Sequence, residues 1–321
     1  MSILITGGTA GMGYHSATSL ARQYPDRRIV IASRSNTDNA SDRINKALNQ
    51  NNVEYLRLDL GSLAEVRAFV KTWAEKNYAP IEYLLLNAGL QFPGDPEYTV
   101  DGFEKTFAIN HVGHALLFSL LVPHLAHTAR IVITSSGTHD PAQKTGMPNA
   151  IYNTAEELAH PTGESLKYPG RQRYPTSKLV NVLWGYALEE RFKKLREGNV
   201  RNWTVVLFDP GLMPGTGLVR SGNAIERFIW FTLLPRILPL LRIVMFPNIH
   251  TPAESGGALA WVATSDEVRN TTGVYYEGKK VIKSSEFSYN KEKQEDLWQW
   301  TVNNIATNPE EAEMFSLKRL E

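Results

Sequence analysis

Cysteine is absent from the 321 residues. That excludes disulfide staples, thiolate metal sites and a cysteine nucleophile, and it fits a reducing compartment. Net charge is nearly absent as well: 34 basic residues against 33 acidic ones leave +1. A nucleic-acid binder normally carries a basic excess or stripe, so no nucleic-acid partner is expected. A basic leader and a small-residue cleavage site are missing from the start, which runs from Met1-Ser2 directly into Ile3-Leu4-Ile5. A cytoplasmic location is the expectation that follows. No unbroken apolar run reaches membrane-spanning length; the strongest, 228–247, is interrupted by Pro235, Arg236, Pro239 and Arg242. Internal repeats and an obvious linker are also lacking, so a single domain over 1–321 is expected.

Hydrophobic residues at 42% supply a core, and charged residues at 21% do not suggest disorder. The first half alternates short apolar runs with helical patterns, the signature of βαβ units and a doubly wound parallel sheet. Strands are predicted at 3–5, 28–32, 53–58, 81–86, 130–134, 203–208 and 273–276. Helices are predicted at 12–24, 38–51, 62–76, 101–127, 175–196, 253–263 and 292–306. Ser62 with Glu65 reads as a capping box. Between them lies 137–173, rich in Pro, Gly, Thr and Asn, and loops this long tend to be functional.

Directly after the first strand stands Thr6-Gly7-Gly8-Thr9-Ala10-Gly11-Met12-Gly13. Glycines at this spacing let the backbone turn and approach a pyrophosphate, while the next helix offers free N–H groups and its positive dipole end. Gly7, Thr9, Gly11, Met12 and Gly13 are therefore cofactor candidates. The second strand ends in Ser33-Arg34, where NAD sites usually place an acid for the ribose 2′-hydroxyl. A hydroxyl and a guanidinium suit a 2′-phosphate instead, so NADP(H) is the expected cofactor.

Tyr-x-x-x-Lys occurs four times: Tyr174/Lys178, Tyr275/Lys279, Tyr276/Lys280 and Tyr289/Lys293. Only the first opens a long apolar helix, where i and i+4 share a face, and only it follows a core strand ending in Thr134-Ser135-Ser136. A phenol with a reference pKa near ~10 needs about 4 kcal/mol of help to exchange a proton near neutrality. A neighbouring Lys178 ammonium favours the phenolate, and Ser136 can hydrogen-bond the reacting oxygen. Pro175 biases Tyr174 away from helical geometry, which puts Tyr174 at the cap.

Taken in order, Thr6-Gly7…Gly11…Gly13, Asp59, Asn87-Ala88-Gly89, Asn110, Ser136, Tyr174-Pro-Thr-Ser-Lys178 and Pro210-Gly211 resemble the short-chain dehydrogenase/reductase family over nearly the whole chain. The resemblance implies an oxidoreductase with catalytic Asn110, Ser136, Tyr174 and Lys178. It implies that Asp59, with Leu60, lies at the adenine and that Asn87, Ala88 and Gly89 line the cofactor. Asn110 would hold a water relaying protons to Lys178, and Lys178 would also bind the nicotinamide ribose. Pro210 and Gly211 would bind the cofactor and Thr216 would contact its carboxamide, although Gly215 stands near the place where the family often has threonine. Ser136 is chosen over Ser135 within one position. Asn110-His-Val-Gly-His114, Tyr174 to Asn181 and the run from Pro210 to Leu218 resemble the branch of retinol dehydrogenases and light-dependent protochlorophyllide reductase. The latter relies on a cysteine near its pigment, and none is present here.

The segments 137–173 and 212–250 are expected to wall the substrate, the second as an apolar lid suited to a bulky hydrophobic molecule. The lid could lie at a membrane interface, with Arg227, Arg236 and Arg242 meeting head groups, or pack on its own domain or on a second subunit in a homo-oligomer. His111, His114, His124 and His127 lack convergent carboxylates and are read as structural, so no metal is expected. Trp298 and Trp300 are read as packing residues. Three functions remain: carbonyl/alcohol hydride transfer on an apolar substrate, reduction of an activated C=C bond, and a non-catalytic NADPH-binding sensor or scaffold. An intact Ser136, Tyr174 and Lys178 set counts against the last.

Overall fold

The computed structural model describes residues 1–216, 228–244 and 247–317. Eight strands form one sheet in the order β3-β2-β1-β4-β5-β6-β7-β8. They are β1 (Ser2–Thr6), β2 (Arg28–Ser33), β3 (Val53–Arg57), β4 (Ile81–Leu86), β5 (Leu125–Thr134), β6 (Asn202–Asp209), β7 (Val274–Glu277) and β8 (Lys280–Ile282). The first seven pair in parallel and β8 returns antiparallel on β7. The order reverses between β1 and β4, and open α/β sheets bind ligands beyond the strand ends at that switch point.

Apolar residues occupy both sides of each central strand because helices cover both faces. On one face lie α1 (Gly11–Gln23), α2 (Ala40–Leu48) and, from later in the chain, Pro252–Thr264. The other face carries α3 (Leu63–Glu75), α4 (Lys105–His124) and the long helix Arg173–Glu197. Between α4 and that helix comes the short α5 (Ala155–Ala159), so Arg173–Glu197 is α6. Then follow α7 (Leu238–Val244), α8 (Pro252–Thr264), α9 (Lys291–Ile305) and α10 (Pro309–Ser316). Helix α9 packs on α6, and α10 on α4. Helix α4 has the length and apolarity to cross a membrane, but 89% of its apolar window is buried in protein. It is a core helix here.

The sequence expectations fail at particular places. The helix predicted over 101–127 spans only 105–124, because the chain from Leu125 onward already pairs in β5. Within it, Ala108–Val112 widens into a π-helical turn. Ser62 caps α3 by accepting from Glu65 N at 3.4 Å, but the Glu65 carboxylate pairs with Arg57, so the reciprocal half of the predicted box is used elsewhere. A full capping box forms at Thr251 and Glu254. Tyr174 lies inside α6, whose first residue is Arg173, and not at its cap. Pro175 is then the third helical residue, where its missing N–H has no intrahelical acceptor to lose.

Trp203 on β6 shows how tightly the second face is filled. It is fully buried, meets Phe192 edge-on at 5.5 Å, and donates from Nε1 to Ala126 O at 2.8 Å. Trp203→Ala should cost about 3–5 kcal/mol, read as a lower urea midpoint at unchanged slope. A loss below about 1 kcal/mol would mean the site collapses without a cavity.

Candidate active site

The ends of strands β1 to β6 converge on a cleft of about 300 Å³. Thr6 ties β1 to β4 there. Its Oγ1 accepts from Asn87 N at 2.8 Å and Ala88 N at 3.0 Å, while Asn87 Nδ2 donates to Thr6 O at 2.8 Å. His114 backs the knot from α4. Its Nδ1 sits 3.2 Å from the Asn110 carbonyl, which can only accept, so Nδ1 carries the proton. Nε2 is then the acceptor facing Thr6 Oγ1 at 2.9 Å. Burial pushes this imidazole down to about 4, so it stays neutral near pH 7 and acts in structure.

Gly13 cannot be larger: a Cβ would sit 2.3 Å from Gly7 O and 2.8 Å from Asn87 Nδ2. This glycine closes α1 onto the strand and aims the helix start at the cleft. Ala10 leaves the α1 N-terminus without a side-chain cap, and its first turn holds no acid. Free N–H groups and no negative charge are what a pyrophosphate requires. Thr9, Gly11, Met12, Ser33, Arg34, Asp59, Leu60, Ala88 and Gly89 line the same cleft with Gly7, Gly13 and Asn87. Arg34 is exposed at its rim and makes no ion pair among the described residues. Asp59 turns back to accept from Gly61 N at 2.9 Å. The residues present therefore fit a dinucleotide.

At the other end of the cleft α6 delivers Tyr174 and Lys178. Lys178 Nζ stands 5.5 Å from the centre of the Tyr174 ring and donates to Thr134 O at 3.3 Å. Ser136 and Ser135 point opposite ways, as neighbours on an extended strand end must. Ser136 hydrogen-bonds the Tyr174 hydroxyl. Ser135 Oγ is buried and donates to Lys178 O at 2.9 Å. The geometry thus selects Ser136 as the hydroxyl beside the phenol.

The electrostatics correct one expectation. Burial pushes the Tyr174 phenol well above its ordinary value, the Asp209 charge adds to this, and the Ser136 hydrogen bond only opposes it. Lys178 does not offset the rise. Burial pulls Lys178 itself down to about 8, against the pull of Asp209. The protein alone therefore holds Tyr174 as a neutral proton donor.

Asn110 sits in the π-helical turn, one layer behind the cleft. Its Oδ1 accepts from Leu90 N at 2.8 Å, and Nδ2 donates to Leu90 O and to Ser177 Oγ, both at 2.9 Å. Single π turns often mark functional sites; this one aims the Asn110 amide at the chain after Gly89 and at the base of α6. Pro210 and Thr216 line the cleft. Thr216 Oγ1 donates to Met213 O at 2.9 Å. Gly211 lies behind them, its N–H on Asp209 Oδ1 at 2.9 Å. Asp209 itself was not singled out from the sequence. The one signal for it is an acid closing an otherwise apolar strand.

The lid is partly described. Gly217 to Arg227 and residues 245–246 lie outside the described residues, so the expectation for Arg227 does too. Trp230 Nε1 donates to Thr216 O at 2.8 Å, pinning the lid beside the cleft. Arg242, expected to meet lipid, is instead held in the fold: Nε donates to Ile249 O at 2.7 Å and Nη2 to Glu254 at 2.5 Å. Arg236 is exposed and bonds Thr232 O. The outer apolar face includes Phe228, Phe231, Leu240 and Ile243, the last 84% exposed.

Sheet order, glycine turn and Ser-Tyr-Lys set together define a nicotinamide-binding Rossmann oxidoreductase site. The chain belongs to the short-chain dehydrogenase family. The family model described as short chain dehydrogenase matches residues 1–155. A polyprenol dehydrogenase from Danio rerio is 32% identical over 307 residues, 92% of this chain and 83% of that protein. A chloroplastic protochlorophyllide reductase from Daucus carota is 28% identical, covering 93% of this chain and 76% of that protein. In fold, the chain is similar to a 3-oxoacyl-[acyl-carrier protein] reductase from Brucella melitensis solved with NAD. That likeness has a TM-score of 0.61 at 19% identity and covers 87% of this chain and 95% of that one.

Proposed function

We propose that the protein reduces the carbonyl of a bulky apolar substrate, or oxidises the matching alcohol, using NADP(H) with Tyr174 as general acid/base. The observation that carries this reading is the Tyr174 hydroxyl bonded to Ser136 at the end of the cleft opposite the glycine turn, with Lys178 on the same helix face. Bound NADPH would supply the hydride. Tyr174 donates the balancing proton to the carbonyl oxygen, which Ser136 holds. Lys178 would grip the nicotinamide ribose with its ammonium. Arg34 and Ser33 would meet the 2′-phosphate. The relative named as a polyprenol dehydrogenase acts by its name on a long apolar alcohol, which supports a substrate of that kind here.

The test is consumption of NADPH by the purified chain with farnesal, a long prenyl aldehyde, against propanal. The expected result is turnover of farnesal with at least about tenfold higher kcat/KM than propanal, about 1.4 kcal/mol of added apolar contact. Equal rates, or none with either aldehyde, would overturn the reading.

The pH dependence follows from the site. A phenol held above its usual range stays protonated across neutrality, so it can donate throughout. Lys178 loses its charge as pH rises through about 8. Carbonyl reduction should therefore be level near neutrality and fall above about 8. A profile that instead rises steadily with pH would contradict a neutral tyrosine as donor.

The exposed apolar face of the lid is read as the side that meets a lipid surface and takes up substrate there. Ile243→Asp should weaken binding of the chain to phosphatidylcholine vesicles, read by co-sedimentation, by at least about tenfold, from the loss of about 1.5–3 kcal/mol of one buried aliphatic side chain. Unchanged binding would remove the lipid role from this face.

A further inference from the structure

Strand β6 ends in Asp209, a carboxylate only 1% exposed. Three donors converge on it. Gly211 N donates to Oδ1 at 2.9 Å, Asn248 Nδ2 donates to Oδ2 at 3.1 Å, and Gly137 N also bonds the carboxylate. These donors have one thing in common. Gly137 follows Ser136 and opens the 137–173 wall, while Gly211 and Asn248 stand at the two stems of the 212–250 lid. The backbone continues the closure: Leu212 N donates to Asn248 O at 2.9 Å and His250 N to Leu212 O at 2.8 Å. The stems are pressed so close that a Cβ on Gly211, whose φ is +75°, would lie 2.3 Å from Asn248 Oδ1.

We propose that Asp209 is a positioning residue, a latch that holds both stems of the lid to the turn carrying the catalytic serine. An ionised carboxylate offers acceptors only, which suits three converging N–H groups. An asparagine there would turn an amine toward at least one of them. The titration of the carboxyl does not release the latch. Burial pushes the Asp209 carboxyl up to about 6, with Glu277 adding to the rise and the N–H bonds from Gly211, Gly137 and Asn248 opposing it. Burial outweighs those bonds, so the carboxyl holds its proton more tightly in the latched state than it would when exposed. The groups facing the carboxylate are Tyr174 and Lys178 from α6 and Tyr275 and Glu277 from β7. Behind these stand His250, 3.1 Å from Asn248 Oδ1, and His139, 3.4 Å from the Tyr275 hydroxyl. Folded-state linkage follows from this: the contribution favours the folded, latched state as pH falls and is lost as pH rises through about 6, so acid does not release the stems.

The latch rests on the oxidoreductase reading only in its kinetic consequence. The test is backbone hydrogen exchange by mass spectrometry on the full chain, corrected for intrinsic rates, with wild type, Asp209→Asn and Asn248→Ala. At about pH 7, Asp209→Asn should speed exchange at Gly137 and at both lid stems at least about tenfold, and Asn248→Ala at the lid stems alone. Moving wild type to about pH 5 should leave the same amides no faster, because protonation of a raised carboxyl favours the latched state. In parallel, Asn248→Ala should raise KM for farnesal about tenfold with kcat altered less than threefold, about 1.4 kcal/mol of lost positioning. Lid-stem exchange unchanged in Asn248→Ala or in Asp209→Asn, or wild-type stems that exchange faster at about pH 5, overturns the latch. If Asp209→Asn fails to fold, the wild-type pH series and Asn248→Ala decide. If farnesal is not turned over by wild type, the functional reading falls, and the exchange data still judge the latch.

Discussion

Tyr174→Phe should lower kcat for farnesal reduction about a thousandfold, which is ~4 kcal/mol of lost transition-state stabilisation. The ring remains, so packing against α6 and the neighbouring cofactor end of the cleft should be kept. The loss is specific to the proton. Without the hydroxyl, Ser136 still meets the carbonyl oxygen, but no group within hydrogen-bond reach supplies the proton that must balance the hydride. Binding of NADPH, measured by quenching of tryptophan fluorescence, should change less than about threefold, under ~0.7 kcal/mol. Ser136→Ala should cost less than Tyr174→Phe, because it removes a hydrogen bond to the phenol and keeps the donor. A Tyr174→Phe variant with wild-type turnover would assign the proton to another group.

Arg34→Glu should weaken NADPH about 100-fold, ~2.7 kcal/mol, and alter NADH less than threefold. Arg34 is free of ion pairs among the described residues and stands at the end of β2, where the adenosine ribose lies in sheets of this order. Losing a charge-assisted contact to phosphate accounts for about 1.5–3 kcal/mol, and the introduced carboxylate repels the 2′-phosphate as well. Titration calorimetry with each dinucleotide separates the outcomes. Equal weakening of both would mean that Arg34 touches the shared pyrophosphate or only supports the loop.

The central sheet was legible because strands β1 to β6 are apolar runs bounded by glycine, proline or charge. Covered on both faces, such runs do not need alternation. What stayed hidden has local physical reasons. Lys280–Ile282 is three residues long with exposed lysine and valine, so no pattern marks β8. Helix α10 covers only Pro309–Ser316 and begins with two acids, a sequence that also suits a tail. It is held by a distant pair, Arg67 with Glu311 at 2.8 Å, and by Phe315 buried in the core. The C-terminal limit of α4 was overrun because Leu125 and Ala126 continue its apolar character while already serving β5.

In the site, the glycine turn, Tyr174 and Lys178 were legible from order and spacing. The choice between Ser135 and Ser136 needed the direction of two adjacent side chains, which the sequence leaves open by one position. The neutral state of Tyr174 needed burial and a carboxylate 35 positions along the chain, Asp209, whose approach only the folded sheet creates. The same holds for Arg242 of the lid: it reads as exposed in sequence, yet its partner Glu254 arrives from the start of α8.

The most direct test of the account is a crystal structure of the chain with NADP⁺ bound. The account predicts the pyrophosphate at the N-terminus of α1, the 2′-phosphate on Arg34 and the ribose on Lys178. It also predicts nicotinamide C4 facing a space in which a carbonyl carbon can sit about 3.5 Å away while its oxygen reaches Tyr174 Oη and Ser136 Oγ. A bound nicotinamide ring turned from Tyr174, or a dinucleotide lodged outside this cleft, would contradict it.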